Sequence, residues 1–361
     1  MTVNNMQTRP RLKYAYEQLL DLTRQLGPDA QLPTMLQLRD SLGVSMHTLS
    51  EAVREMERQG LLRSVHGVGI FVAETSHTLT GNIGIVGIEH AHLKASQYYH
   101  YILQGVREFA QEHDQHIVLL GSCKELDSRA LEKVDGILLC YVEFQDCRLK
   151  PVPASMPRVA MFTRGEDIAN VLIDDYNGAK MAIQHLLDAG HRQIACLMER
   201  SMFIPTQRLA GYRSALEAAG IECRDEWVRK TDIIMSHQDK PAYLYWGREQ
   251  MRQWIAEGFL ETGCTAVLAQ NDAAAIGVMQ ALQEVGIDVP GQISVMGFDG
   301  TDLCEHVTPQ LSSMKIPLDQ IGYAAARELY RQIKQGEIAT EVEMLPMQLR
   351  PGRSVGAPLV K

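Results

Sequence analysis

The stretch TAVLAQNDAAAIGVMQALQEVGIDVPGQISVMGFDG, from Thr265 to Gly300, decides how the chain is read. Its apolar run, Ala266 to Ala269, stops at Gln270-Asn271-Asp272. An amphipathic stretch follows, with Ala275, Met279 and Leu282 on one helical face. Gly286 stands where a helix C-terminus takes glycine. Pro290-Gly291 signals a turn, and Ile293 to Met296 is a second buried-strand run ending at Gly297-Phe298-Asp299-Gly300. Strand, helix and strand in this order build a parallel sheet. In open α/β sheets ligands bind outside the carboxyl ends of the strands. Asn271, Asp272 and Asp299 therefore stand where a small polar ligand would sit. Each also has a plainer reading, Asn271-Asp272 as a helix cap and Asp299 as a turn residue. Two such strand ends in adjacent units favour a site.

The chain has 361 residues, 45% of them hydrophobic, enough for two or three domains. No apolar run approaches the roughly 18 residues needed to span a bilayer. The N-terminal MTVNNMQTRPRLKY lacks the apolar core of a signal peptide, so a cytoplasmic protein without a membrane partner is expected. Seven cysteines (123, 140, 147, 196, 223, 264 and 304) form no CxxC pair. Their odd number suits free thiols in a reducing compartment. The net charge of −9 means that any nucleic-acid contact must come from a local patch.

Residues 1–73 read as helix, helix, turn, helix and hairpin. Arg11 to Leu26 is the first helix, broken by Gly27-Pro28. Thr34 suits the N-cap of the second, which Gly43 ends. Met46 to Gln59 is the third, buried through Leu49, Ala52, Val53 and Met56. Val65 to Val72 reads as a hairpin with glycines at its tip. This is a winged helix-turn-helix, whose third helix would enter the major groove through Ser45, Met46, His47, Thr48 and Ser50. Arg39, Arg54, Arg58 and Arg63 are candidate phosphate contacts. The pattern Leu32-Pro33-Thr34, Leu42-Gly43-Val44-Ser45, Thr48-Leu49, Ala52-Val53, Gly60-Leu61-Leu62 and Gly67-x-Gly69-x-Phe71-Val72 resembles the GntR family of bacterial regulators. That resemblance implies DNA contacts at Thr34, Arg39, Ser45, His47, Thr48, Ser50, Arg54, His66 and Gly67. The chain departs from it at Leu36, Met46, Ser50 and Val68, where the family often carries arginine. Eight basic residues meet seven acidic ones up to residue 73. A winged helix used for protein contact is the competing reading.

Residues 74–80 are a short polar linker. Beyond it, strand runs at Asn82–Ile88, Ile117–Leu120, Gly136–Cys140 and Val159–Phe162 alternate with a helix over Tyr99–Glu112, which argues for a parallel sheet. Gly81, Gly84 and Gly87 do not form a nucleotide fingerprint, since two of them lie inside the strand. His90 and His92 lack a third clustered ligand and read as an ordinary cleft loop rather than a metal site. Tyr98 and Tyr99 either belong to the core or stack on a ligand.

Helices stopped by glycine recur at Gly190, Gly220 and Gly286, the repeated unit of a doubly wound sheet. Asn177-Gly178-Ala179, Gly190-His191-Arg192-Gln193-Ile194 and Arg208-x-Ala210-Gly211-Tyr212 fall in this half, with Asn271-Asp272-x-Ala274-x-x-Gly277, Gly286-Ile287-x-Val289-Pro290 and Gly297-Phe298-Asp299. Together they are similar to the sensor of the lactose/galactose-repressor (LacI/GalR) family. The resemblance implies a periplasmic-binding-protein-like fold of two α/β lobes, lobe one about 81–165 plus 318–342 and lobe two about 166–314 plus 343–355. It implies crossovers near 163–168, 314–318 and 340–345. It also implies effector contacts at Arg208, Asn271 and Asp299. Tyr98, Tyr99, Tyr245 and Trp246 are candidate stacking aromatics. Phe162 stands near where the family often has an acid, and Ser122 to Lys133 is shorter than the family's helix-bearing stretch.

The expected fold class is therefore α/β, a winged helix-turn-helix (1–73) before a two-lobed sensor (81–361). The fusion resembles the arabinose-repressor type of bacterial regulator. It implies a homodimer that binds operator DNA and a small effector, a sugar, and represses carbohydrate-use genes. No G-x-S-x-G, P-loop or metal cluster points to an enzyme or a cofactor. A sugar- or nucleobase-binding module with weakened DNA binding is the alternative.

Overall fold

The computed structural model describes residues 10–359 apart from 28, 59–60, 66, 74–78, 89–96, 125, 142–151, 154, 201–202, 233–241 and 337. His66, His90, His92 and most of the expected linker thus lie outside the described residues. The chain divides into two compact units, residues 1–80 and 81–361.

The first unit holds helices α1 (Pro10–Leu26), α2 (Met35–Leu42) and α3 (Met46–Arg58), then an antiparallel hairpin of β1 (Leu62–Val65) and β2 (Gly69–Val72). A reciprocal capping box starts α2. The Gln37 backbone N–H donates to the Thr34 hydroxyl at 3.4 Å, and the Thr34 N–H donates to the Gln37 side chain at 2.9 Å. Gly43, at φ 63°, ends α2 and lets the chain reverse before Ser45. Leu19, Leu38, Leu49, Ala52 and Met56 form the buried centre. The hairpin starts at Leu62, earlier than the apolar run suggests, because Leu62 is itself a core residue. The Leu32 N–H donates to the Ile70 carbonyl, and the Val72 N–H to that of Ala30, both at 2.8 Å, so residues 30–32 line the wing.

The second unit contains two sheets. In the first, β3 (Asn82–Val86), β4 (His116–Leu119), β5 (Gly136–Cys140), β6 (Arg158–Met161), β7 (Ala169–Ile173) and β13 (Val342–Leu345) run parallel in the order 13-7-6-5-3-4. In the second, β8 (Ile194–Glu199), β9 (Val228–Thr231), β10 (Ala266–Ala269), β11 (Ser294–Asp299), β12 (Ser312–Lys315) and β14 (Gln348–Arg350) follow the order 14-12-11-10-8-9. Within these two sheets, only β14 is antiparallel to its neighbour among the described residues. The helices are α4 (Tyr98–Glu112), α5 (Ser128–Leu131), α6 (Asp175–Asp188), α7 (Phe203–Ala218), α8 (Ala242–Ala256), α9 (Asp272–Glu284) and α10 (Leu318–Gln335). The central strands β5, β7, β8 and β10 are fully buried, largely apolar runs, as strands covered on both faces are, while the edge strands β4, β9, β13 and β14 are partly exposed. Helices α4 and α10 touch backbone to backbone. A Cβ on Gly105 would lie 1.8 Å from the Asp319 carbonyl oxygen, so only glycine allows the crossing.

Two crossovers fall elsewhere than expected. The expected bounds put strand β7 in lobe two, yet it is fully buried between β6 and β13 of the first sheet. The chain therefore crosses at Asp174, after β7. It crosses again at 315–318, near the expected place, and lastly between Leu345 and Gln348, since β13 also pairs within the first sheet. The expected short stretch at 122–133 holds the single-turn α5. Cys140, Cys196, Cys223, Cys264 and Cys304 are free thiols. Cys123 is disulfide-bonded, which corrects the expectation of seven reduced cysteines and which no CxxC spacing announces.

Candidate functional site

Arg208 is buried on α7, 3% exposed. Its Nε–H donates to Asp175 Oδ1 at 2.8 Å, and its Nη1 donates to the Gln270 carbonyl. The guanidinium carbon lies 4.1 Å from the centre of the Phe298 ring, a cation–π contact. Asp175 opens α6 just past the first crossover, behind the Asp174 cap. Burial pushes the Asp175 carboxyl up while Arg208 pulls it down. Burial works against the Arg208 cation, but Asp175 and Asp299 outweigh it and hold its pKa above the ordinary value.

Asp299 ends β11 at φ +100°, a conformation L side chains rarely adopt. Such strain persists only where the surroundings impose it and clusters at binding sites. Its carbonyl accepts from the Ile316 N–H at 3.1 Å, and a Cβ on the next residue, Gly300, would lie 2.4 Å from Lys315 Cα. The strand end is thus pinned against β12, while no hydrogen bond to the Asp299 carboxylate is present among the described residues. Burial, then the neighbouring Asp272, push that carboxyl well above the usual range, and Arg208 only partly opposes them.

Asn271 and Asp272 divide between the two readings of the sequence. Asn271 is the N-cap of α9, its Oδ1 accepting from the Ala274 N–H at 2.8 Å. No partner for its amide nitrogen is present among the described residues. Asp272 is buried and accepts from the Thr301 N–H at 2.8 Å, the Thr301 hydroxyl at 3.0 Å and the Ser313 hydroxyl at 2.5 Å. Asp272 is therefore a brace that joins the start of α9 to the end of β11 and to β12.

The first lobe faces this cluster with aromatics. Tyr98, Tyr99, Tyr141 and Phe162 form one group, in which Tyr141 and Phe162 stack at 4.4 Å and 8°. The Tyr98 and Tyr141 hydroxyls hydrogen-bond to each other. Tyr141 and Phe162 follow β5 and β6 at φ 51° and 69°, so two bulky residues carry strain at neighbouring strand ends. Burial, then Asp299, raises the Tyr98 pKa, and burial with Cys140 and Asp299 takes Tyr99 to about 12. The aromatics of one lobe therefore stand within electrostatic reach of the carboxylate of the other.

On α8 the aromatic nearest this chemistry is Tyr243, which donates to Glu199 Oε2 at 3.3 Å and whose pKa is raised by burial, Glu199, Tyr99 and Asp299. Trp246 is 4% exposed, and its indole N–H donates to the Thr231 hydroxyl at 3.1 Å, so it belongs to the packing of lobe two. Tyr141, Asp175 and Tyr243 were missed. Tyr141 and Asp175 follow strand ends, the signal used for Asn271 and Asp299. Tyr243 follows a stretch, 233–241, that announces no strand end.

Tyr101 on α4 donates to Asp302 Oδ2 at 2.6 Å, a bond from one lobe to the other. Tyr101→Phe removes it. A hydrogen bond of this kind contributes about 0.5–1.5 kcal/mol, so effector affinity is expected to fall by roughly 2- to 12-fold with folding intact. Calorimetric titration reads the effect, and unchanged affinity would remove this bond from any role in closure.

On the first unit, Ser45 caps α3. Its hydroxyl accepts from the Thr48 N–H at 3.1 Å and meets the Thr48 hydroxyl at 2.8 Å. His47 projects, its side chain 84% exposed, with Nδ1 3.9 Å from Glu51. Ser50 is half-buried, and Arg54 is exposed with no ion pair among the described residues. Arg39 is paired with Asp40 and Arg63 with Asp29, both through 2.7 Å hydrogen bonds. Thr34 is exposed with its hydroxyl held in the capping box. Gly67 turns the wing at φ 75° beside the exposed Val68.

Two family models match the chain. Bacterial regulatory proteins of the gntR family match residues 14–72, and the periplasmic binding protein-like domain matches residues 183–355. The chain is thus a fusion of a GntR-type domain with a periplasmic-binding-protein-like domain. Among curated relatives, the ribose operon repressor of Escherichia coli (strain K12) is 29% identical over 272 residues, 71% of this chain and 78% of that one. A solved transcriptional regulator CelR–cellobiose complex superposes with a TM-score of 0.66 at 26% identity, over 86% of this chain and 91% of that chain. A LacI-family regulator from Sanguibacter keddieii gives a TM-score of 0.62 at 25% identity, over 76% and 98%. These relatives are transcriptional regulators rather than enzymes. No described helix is long and apolar enough to cross a membrane.

Proposed function

We propose that the protein is a ligand-responsive bacterial transcriptional repressor of carbohydrate-use genes, acting in the cytoplasm as a homodimer. The winged helix binds operator DNA, and the cleft between the sensor lobes holds a small sugar. The observation that supports this reading is the electrostatic coupling of Arg208 and Asp299 of one lobe with Tyr98 of the other, with Asn271 at the adjoining end of β10, on a chain that also carries a GntR-type winged helix. Ribose and cellobiose appear in the names of two relatives, which supports a sugar as effector. The arrangement is of the arabinose-repressor type.

Paired hydrogen bonds from Asp299 and the Asn271 amide would orient vicinal hydroxyls, while Tyr98 or Phe162 covers an apolar sugar face. Arg208, held by Asp175 and Gln270, supplies a fixed positive end. An effector that prefers closed lobes shifts the population toward them. If operator binding favours another lobe angle, effector and operator weaken each other by the same factor. The test is a pair of effector titrations on one preparation, with and without operator DNA. Equal affinities in both would sink the coupling.

The DNA reading has its own test. Arg54→Ala is expected to weaken binding to all sequences alike and to flatten the salt dependence by about one unit. His47→Ala is expected to change sequence preference instead. Gel-shift titrations across a salt series separate the two, and binding that neither substitution alters would assign α3 to protein contact.

A further inference from the structure

The wing is tied to the helix-turn-helix by a short third strand. A two-stranded hairpin is marginal in water on its own. Here Ala30 and Leu32 exchange backbone hydrogen bonds with β2, and Gln31 bridges Phe71 in antiparallel register. On β1, Arg63 is held by Asp29 at 2.7 Å, and its guanidinium carbon lies 5.0 Å from the centre of the Phe71 ring. Gln31 adds a bond from its side chain. Its Nε2–H donates to the Val68 carbonyl at 2.9 Å. A Cβ on Gly69 would lie 2.5 Å from that nitrogen, so the amide occupies space that only glycine leaves open. The Val68 N–H closes the turn by donating to the Val65 carbonyl at 3.0 Å. Just beyond Gln31, Thr34 caps α2. One side chain thus fixes the wing tip relative to the start of the helix-turn-helix.

The tip, His66-Gly67-Val68-Gly69, carries no lysine or arginine. Val68 stands between two glycines, 59% exposed, where Gly67 turns the chain. Both its N–H and its carbonyl are held, so the valine is presented at a set angle. Such a group packs against the deoxyribose edge of a duplex, and contacts to sugar fix register and orientation without reading sequence. We propose that Gln31 is the positioning residue of a second DNA contact, made by Val68 at the wing tip against the sugars that flank the site read by α3. This deepens the operator-DNA reading and rests on it. A contact made without a cation releases no counterions, so it strengthens binding without adding salt dependence.

The experiment uses the full-length protein and duplexes that the wild type selects from a random-sequence library. Gln31→Met keeps the length of the exposed side chain and removes its N–H. It is expected to weaken binding by about 2- to 12-fold, with melting temperature and salt slope unchanged. Hydroxyl-radical footprinting is expected to lose protection of the flanking sugars and to keep protection over the α3 site. Val68→Ala is expected to lose the same flank, and the double variant to be no weaker than the weaker single one, because both substitutions remove one contact. Unchanged affinity and footprint in Gln31→Met overturns the proposal. So does a lowered melting temperature, a salt slope flattened by about one unit, a loss spread over the α3 site, or additive losses in the double variant. A library from which the wild type selects no duplex removes the DNA reading itself, and the proposal with it.

Discussion

Arg208→Met is expected to destabilise the sensor by about 3–5 kcal/mol, because it leaves the Asp175 carboxylate buried without its partner. Asp175 and Arg208 are both nearly sealed from solvent, with side chains 5% and 4% exposed. The arginine also bonds the Gln270 carbonyl at the end of β10 and covers Phe298. The loss would therefore loosen α6, α7 and β11 together. Urea unfolding followed by tryptophan fluorescence measures it. The double variant Asp175→Asn, Arg208→Met removes both charges and is expected to regain most of the loss, since a neutral pair of similar volume is commonly tolerated. A single variant that loses less than about 1 kcal/mol would show the pair to be solvated.

Asp299→Asn is expected to do the reverse, weakening effector binding while sparing the fold. Loss of the charged acceptor is worth about 1–3 kcal/mol, roughly 5- to 150-fold in affinity. The unliganded sensor is expected to gain stability. Native Asp299 holds its proton more tightly than the unfolded chain does, because its pKa stands well above the ordinary 3.8. Below that ordinary value both states are protonated and the residue contributes no difference. As pH rises past it the unfolded state ionises first, and stability falls until the native carboxyl ionises as well. Asn removes this penalty, so the advantage of the variant is expected to be absent in acid and to grow toward neutral pH. A variant less stable than wild type at pH 7 would reveal a structural bond to Asp299 and contradict the cleft geometry.

The doubly wound architecture was legible because its strands are short apolar runs closed by turn residues, and because glycine marks several helix ends. Capping chemistry made Thr34 and Gly43 readable from local sequence alone. The lobe boundary was not. Val171-Leu172-Ile173 is equally apolar whichever sheet it joins, and its partners β6 and β13 come from far apart in the chain. The candidate site divides the same way. Asp299 and Asn271 announce themselves at strand ends. Trp246 and Tyr243 lie on one helix only three residues apart, and nothing in composition says which of them packs inward. Asp272 reads like its neighbour Asn271, and only the Thr301 and Ser313 donors distinguish the brace from the cap.

Three passages of the chain, at Asp174, at 315–318 and between Leu345 and Gln348, join the two lobes. Three tethers side by side leave a pair of bodies little freedom except rotation about one common line. The output of the sensor is then a single angle, whatever molecule produces it. Cleft residues such as Tyr243 or Asn271 can be exchanged for other chemistry without altering the axis. Selection for a new effector and preservation of the response can therefore proceed as separate problems in this fold.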